Sequence, residues 1–495
     1  MIKLQDDAHR LGVRARSWNN ALLARPGDLD LSIEASRIEG RVPAALTRGR
    51  LLSNGPGWTK VGDRLAHPFD GHGYVRAFSF EADGSVRLRA RFVDTPTYRE
   101  ELSAGRLVRR GLGTNPSPHF WKNIVATRAR NVANTTVQRW SGKLLAAWEG
   151  GAPYSLDADS LETHGEETFG GVIAGQATLA HMKLDEAMKR LVTCSVKLGR
   201  TTSLTFREFD EAGKLVHTRD VDLPSSLFIH DFVITPHWYG LFSNLLSMKF
   251  GTLGRVLLGG ATLVEAITTD LEAPGALYLV PRTSDAPLRT VTLPDRAFAV
   301  HYGNAFERDG AVYLDACLSP DIDFASAFGF QGPTVPIDPA RPDADEPGRL
   351  FRVVVQDGAD RGTWTQLAPH GLDFPRVHPA HDGRETPVLF GAARAALKHG
   401  APFDSVVRKD LMDLERPADV WTAPENVFVG EPIFAPAAER EDEGHLLAML
   451  YDGLREVSTL AIFDAKSLSS GPVARIPMPL MPYAFHGAWD EPAGS

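Results

Sequence analysis

Three histidines of this 495-residue chain follow a proline at nearly the same distance. His230 comes after Leu223-Pro224, His301 after Leu293-Pro294 and His486 after Met478-Pro479, so the Pro-to-His gaps are 6, 7 and 7. The chain has sixteen histidines, and any one alone reads as a surface or hydrogen-bonded core residue. A histidine that recurs at one place in a repeated unit is different, because equivalent positions of a radially repeated fold converge on its axis. Neutral imidazoles that converge make a metal site.

His181, in ATLAHMKLD, stands 49 residues before His230, and His301 follows 71 residues after it. The 185 residues from His301 to His486 exceed one unit, and within that gap lie Asp373 in GLDFPRVHP and Glu431 in VFVGEPIF, at steps of 72, 58 and 55. Glu149, in LLAAWEGGAPYSLD, precedes His181 by 32 residues. Metal-bound imidazoles usually donate their second N–H to a carboxylate, which fixes the tautomer and raises ligand basicity. Glu149, Asp373 and Glu431 are the expected acceptors. An all-imidazole ligand set suits zinc, copper or iron, and the spacing leaves that choice open. The HEXXH and paired CxxC patterns of other metal sites are absent.

The elements that must position these residues read as strands. Short β-type runs recur between polar turns, among them KRLVTCSVKL, GALYLVPRTSDAPLRTVTLP, GRLFRVVVQDG and HLLAMLYD. TFREFDEAGKLVHTRDVDLP and LAIFDAKSLSSGPVARIPMP share one plan of strand, Asp-containing turn, strand and Leu/Met-Pro exit, and LDADSLETHGEETF carries the same turn with a weaker second half. Such self-similarity predicts an all-β, seven-bladed β-propeller with helical excursions. No linker or composition shift divides it, so residues 1–495 are expected to form a single domain.

Lys plus Arg number 53 against 62 Asp plus Glu, a net charge of −9 without dense like-charge blocks, which gives nucleic acid no electrostatic footprint. Cys194 and Cys317 lie far apart in strand-like surroundings and read as buried, reduced thiols. MIKLQDDAHRLGVRARS lacks an apolar signal-peptide core, so a cytoplasmic location is expected. The most lipophilic stretch, residues 241–267, opens on Leu241 and closes on Ile267, and is interrupted by Lys249, Arg255 and Glu265. It cannot span a bilayer cheaply but could touch one.

The strings around these residues resemble the carotenoid cleavage oxygenase family over nearly the whole chain. They run in the family's order: LLSNGPGW, HPFDGHGYVRAFSF, ARNVANTTVQRWSGKLLAAWEGGAPYSLD, ATLAHMKLD, LFIHDFVITP, VHYGNAFERDGAVYLD, DFPRVHP, GEPIFAP and MPYAFHGAW. The resemblance implies a seven-bladed propeller with a helical cap over its top face. It also implies one Fe(II) per chain, bound by His181, His230, His301 and His486, with Glu149, Asp373 and Glu431 behind them. It places Thr135, of the ANTT string, near an open coordination position. Three departures stand out: Asp373 where Glu is usual, one methylene shorter and so able to loosen one histidine or to need a bridging water; His72 where Asp is usual; and Met182 where Pro is usual.

The activity so implied is cleavage of one C=C bond by O2 to give two carbonyl products, with a lipophilic polyene as substrate. Trp148, Phe228 and Phe374, each beside or two residues from one of these site residues, read as a tunnel wall or as ordinary core. The resemblance also implies that residues 241–267 form a patch that collects substrate from membranes, against the bland reading of a buried cap helix. Relatives that cleave stilbenes or phenylpropanoid alkenes carry a tyrosine and a lysine to handle a phenol. Here Gly113 and Trp148 stand at those places, which favours the carotenoid or apocarotenoid substrate over the phenolic one. A non-catalytic binding propeller is the remaining alternative, and the full set of histidines and acids argues against it.

Overall fold

A computed structural model of the protein describes residues 12–491 apart from 125, 127–129, 199–200, 226, 245, 249, 270–274, 320–347, 395–402 and 438–442. The chain is mostly β and follows one repeated scheme: four short antiparallel strands are laid side by side, and then the chain moves on. The clearest examples are the sheets Thr136–Trp140 to Thr163–Glu166, Lys183–Asp185 to Leu215–Leu223, and Val233–Ile234 to Arg289–Thr292. All three hairpins expected from the repeated turn form, including the weaker one, whose second strand is Thr163–Glu166.

The prolines explain the histidine spacing. Leu223 and Pro479 are the last residues of outer strands, and Pro294 lies just beyond Arg289–Thr292. Proline cannot donate to a ladder, so it terminates the outer strand, and a connector of fixed length then returns the chain to the inner strand of the next sheet. There the histidine stands at or just before the first strand: His181 ahead of Lys183–Asp185, His230 ahead of Val233–Ile234, His301 within Phe298–Arg308, and His486 opening His486–Asp490.

Seven strands between Phe298 and Thr422 form one continuous sheet. Strand Thr363–Arg376 joins its two halves, pairing with Arg349–Gln356 through residues 363–366 and with Val388–Arg394 through residues 371–376. Asp373 lies in that second half. Glu431 lies between Phe428–Val429 and Ile433–Pro436, at the start of the following sheet, so both acids occupy places equivalent to the histidines. Glu149 differs, following the second strand, Lys143–Ala147, of its sheet.

The C-terminal strand His486–Asp490 pairs with Arg50–Asn54 near the other end of the chain, so the last histidine is carried on the strand that closes the structure. The largest apolar cluster packs around this closure, with helix Val13–Leu23 laying the fully buried Trp18 against Phe428 and Tyr483. Cys194 and Cys317 are free and buried.

The stretch 241–267 does not form one buried helix. It contains helices Phe250–Leu257 and Leu263–Ala266 flanked by the pair Leu246–Met248 and Ile267–Thr269, while Lys249 lies outside the described residues. Leu257 and Leu258 are 72% and 60% exposed, next to Phe120, Trp121 and Ile124 of helix Phe120–Ile124, which are also exposed. Asn123 Nδ2 donates to Gly259 O at 2.8 Å and ties the two segments together. Among the described residues no helix is long and apolar enough to cross a membrane.

Candidate metal centre

His181, His230, His301 and His486 offer ring nitrogens that all lie within 4.8 Å of one another. His181 Nε2 is 3.1 Å from His230 Nε2, which is 3.2 Å from His301 Nε2. The far side of three of these rings is fixed. His230 Nδ1 stands 2.8 Å from Glu149 Oε1, His301 Nδ1 2.8 Å from Asp373 Oδ1, and His486 Nδ1 2.9 Å from Glu431 Oε1. Each Nδ1–H therefore donates to a carboxylate, which leaves Nε2 a bare lone pair.

Two such nitrogens facing each other cannot share a hydrogen bond, since neither carries the proton. Lone pairs crowded in this way repel unless a cation lies between them. Nitrogens that would share one ion at about 2.1 Å lie roughly 3 to 3.4 Å apart, which fits the separations observed.

Electrostatics agree with that arrangement. Burial pulls His181 far below the ordinary imidazole value, and the other three rings and Lys183 add to the effect. Burial also lowers His486, to about 4, although Glu431 pulls upward. For His301 burial acts downward too, but Asp373 outweighs it and the group is raised. Glu149, Asp373 and Glu431 are all held below the usual carboxylate range, because their histidine partners, and for Glu431 first of all Arg376, overcome the cost of burial.

The shorter Asp373 reaches its histidine directly, so it neither loosens the ring nor needs a bridging water. A local distortion supplies the reach. Phe374 has φ +52°, a conformation that is rare for a bulky side chain and costs about 1–3 kcal/mol. Its N–H bonds back to Asp373 Oδ1 at 2.8 Å, and its ring sits 5.2 Å from those of both His301 and His486. Phe228 lies parallel to the His230 ring at 6.2 Å. Trp148 is buried, and its ring lies where a side chain at position 150 would be, so Gly150 is required there. Thr135 directs its hydroxyl to Asn134 Oδ1 at 3.1 Å and lies 3.5 Å from Glu149 Oε2.

His72, one of the departures, is buried against Glu101, whose carboxylate also receives both Nη atoms of Arg130. Met182 packs in the core.

Several supports were not anticipated from the sequence. Arg376 binds Glu431 Oε1 at 2.7 Å and donates to Gly487 O. Thr136 donates to the carbonyl of Ala180, fixing the chain beside His181. Lys183 pairs with Asp231 at 2.7 Å, and Asp231 accepts the N–H of Tyr302, so residues one or two positions from three of the histidines are cross-linked to one another. The HMK, HDF and FPR strings contain Lys183, Asp231 and Arg376, but nothing in the sequence says what they meet.

Antiparallel sheets deliver four histidines to one point, each of three backed by an acid, and this defines a β-protein built around an all-imidazole cluster that could hold a metal ion. The family model described as RPE65, retinal pigment epithelial membrane protein, matches residues 26–491, and the chain belongs to this family, that of the carotenoid cleavage oxygenases. It is 34% identical over 492 residues to the apocarotenoid-15,15'-oxygenase of Synechocystis sp., covering 96% of each chain. It is 26% identical to an isoeugenol monooxygenase of Pseudomonas putida, covering 94% of this chain and 96% of that one. The solved structure of cobalt-substituted Synechocystis ACO superposes with a TM-score of 0.88 at 32% identity, covering 97% of this chain and 99% of that one.

Proposed function

We propose that the protein is an Fe(II)-dependent dioxygenase that cleaves one C=C bond of a carotenoid or apocarotenoid with O2, giving two carbonyl products. The observation that carries the reading is the cluster of bare Nε2 lone pairs held by three acid-backed rings. The fold that supports it is read as a single-domain, seven-bladed propeller with a helical cap. The seven-stranded sheet counts as two blades, and the closing sheet completes the ring.

In this reading His181, His230, His301 and His486 hold one iron through Nε2, and Glu149, Asp373 and Glu431 hold the rings in place. When bound there, Fe(II) supplies activation of O2 toward the alkene. The chain's own residues do the rest. Phe228 and Phe374 wall the site next to the ligand rings and keep the polyene beside them without offering it a proton. Trp148 extends that wall, and the hydroxyl of Thr135, held by Asn134 and 3.5 Å from Glu149 Oε2, would limit access to an ion held by the histidines. Both oxygen atoms enter the products and the alkene supplies the electrons, so no separate reductant is required.

The apolar substrate is favoured over a phenolic one by the lack of space at Gly113. A Cβ there would come within 2.6 Å of the His67 ring, so no tyrosine fits, and a buried phenolate would lack a partner to offset its desolvation. In competition between an apocarotenal and isoeugenol, kcat/KM is expected to favour the apocarotenal by at least about tenfold, since each buried CH2-sized unit contributes about 0.8 kcal/mol. A preference for isoeugenol would instead assign the protein to the stilbene and phenylpropanoid branch.

Such a substrate resides in lipid, and the exposed Phe120, Trp121, Ile124, Leu257 and Leu258, with Lys122 and Arg255 also exposed, form the surface that would collect it. Leu257→Ser together with Leu258→Ser is expected to weaken co-sedimentation with vesicles of phosphatidylcholine and phosphatidylglycerol by about tenfold or more, because each leucine would forfeit part of a burial worth about 1.5–3 kcal/mol. Unchanged sedimentation would remove the membrane contact from the proposal.

A further inference from the structure

Arg394 ends strand Val388–Arg394 opposite Gly371, while Ala392 of that strand lies opposite Asp373. Directly paired residues of an antiparallel ladder, and those two positions away, project from one face. The Arg394 side chain therefore rises from the same face as the acid behind His301, over a glycine that leaves it room. Its guanidinium carbon is 5.5 Å from the centre of the Phe403 ring, which is 5.4 Å from that of Phe374, the residue touching His301 and His486. The arginine thus stands at the far end of an aromatic wall that begins at the histidines.

Among the described residues its head group is only partly satisfied. Nε and Nη1 are buried and meet no acceptor among the described residues. The two nearby acids are engaged elsewhere, Asp373 by His301 and the Phe374 N–H, Asp404 by Ser405. Burial lowers Arg394 to about 10, with Asp373 pulling upward, so it remains cationic at neutral pH. A buried donor without an acceptor is costly, and a charged one more so, so the position of this one at the end of the aromatic wall calls for an explanation.

We infer that Arg394 binds an oxygen at one end of the substrate and thereby fixes which double bond lies at the four histidines. The inference rests on the alkene-cleaving reading above and narrows its substrate to a linear conjugated chain that ends in a carbonyl or carboxylate. The guanidinium donates Nη1–H to that oxygen, with Phe403 against its face, while the rest of the chain lies along Phe403 and Phe374 toward the metal site. A charge-assisted bond of this kind separates substrates with and without the oxygen by about 10- to 100-fold.

The test uses the full-length, iron-loaded protein with a polyene aldehyde, the matching carboxylate and a hydrocarbon of equal length. The wild type is expected to prefer the oxygen-terminated chains by about 10- to 100-fold in kcat/KM and to give one pair of products. Arg394→Met should bring that ratio toward unity and spread cleavage over neighbouring double bonds, and Arg394→Lys should restore part of both. If Arg394→Met does not fold, judged by iron content and melting temperature, Arg394→Gln supplies the same comparison. An unchanged ratio and product pattern in folded variants that still cleave polyenes overturns the role of Arg394 alone. A wild type that cleaves only phenolic alkenes overturns the proposed function, and this inference with it.

Discussion

His486→Ala is expected to leave the purified chain with less than a tenth of an iron per molecule and no measurable alkene cleavage, while its fold persists. His486 is 4% exposed, and its Nδ1–H is fixed by Glu431. Removing the imidazole takes away one of four donors and exposes the other Nε2 lone pairs to water. Loss of a residue that merely supports a ligand costs about 10- to 100-fold in metal affinity, so loss of a ligand must cost more. The fold survives because Glu431 is not stranded: it still accepts the Gly487 N–H at 2.7 Å and still pairs with Arg376. The strand that carries residue 486 also keeps its ladder to Arg50–Asn54. Iron measured by elemental analysis beside a circular dichroism spectrum separates the two effects. A variant that keeps a full complement of iron would dismiss His486 as a ligand.

The histidines were legible in the sequence because a covalent device sets their spacing. For His230, His301 and His486 a proline stops the outer strand, and the connector from there to the next inner strand has little freedom in length, so the Pro-to-His gap scarcely varies, whereas His181 has no such proline and shows only in its step to His230. Asp373 and Glu431 were legible from a different signal, the steps of 72, 58 and 55 that fill the gap between His301 and His486. Glu149 is not at an equivalent place, and only its distance before His181 and the family strings drew attention to it.

What was not legible depends on cross-strand register. Asp231 meets Lys183 and the Tyr302 N–H only because three sheets converge, and Arg376 finds Glu431 across 55 residues. The left-handed turn at Phe374 precedes a proline, a sequence that favours extended backbone, so local preference pointed away from the conformation that aims Asp373. The exposed Leu257 and Leu258 likewise follow from packing on helix Phe120–Ile124, which composition does not reveal.

The three carboxylates should not respond equally to loss of charge. In Asp373→Asn the amide oxygen can keep both bonds that Oδ1 makes, to His301 Nδ1 and to the Phe374 N–H, so geometry survives and only the charge is lost. In Glu431→Gln one side of the amide must become a donor facing the Gly487 N–H or Arg376, so a bond is lost together with the charge. Glu149→Gln lies between them, because its second oxygen faces only the Thr135 hydroxyl, which can turn to accept. Within the about 10- to 100-fold range for such partners, iron affinity and kcat/KM are therefore expected to fall most for Glu431→Gln and least for Asp373→Asn. The pH dependence gives a second readout. Asp373 is the group that lifts His301 above its ordinary value, so in the wild type protons compete with iron for His301 from a comparatively high pH downward. Without the charge of Asp373, burial dominates and His301 drops. The acid limb of iron retention should then move to lower pH in Asp373→Asn even as affinity at neutral pH declines. Iron titrations between pH 5 and pH 8, a window chosen around the ordinary imidazole value of about 6.5, measure both. An acid limb that stays in place would show that Asp373 does not act through the basicity of His301.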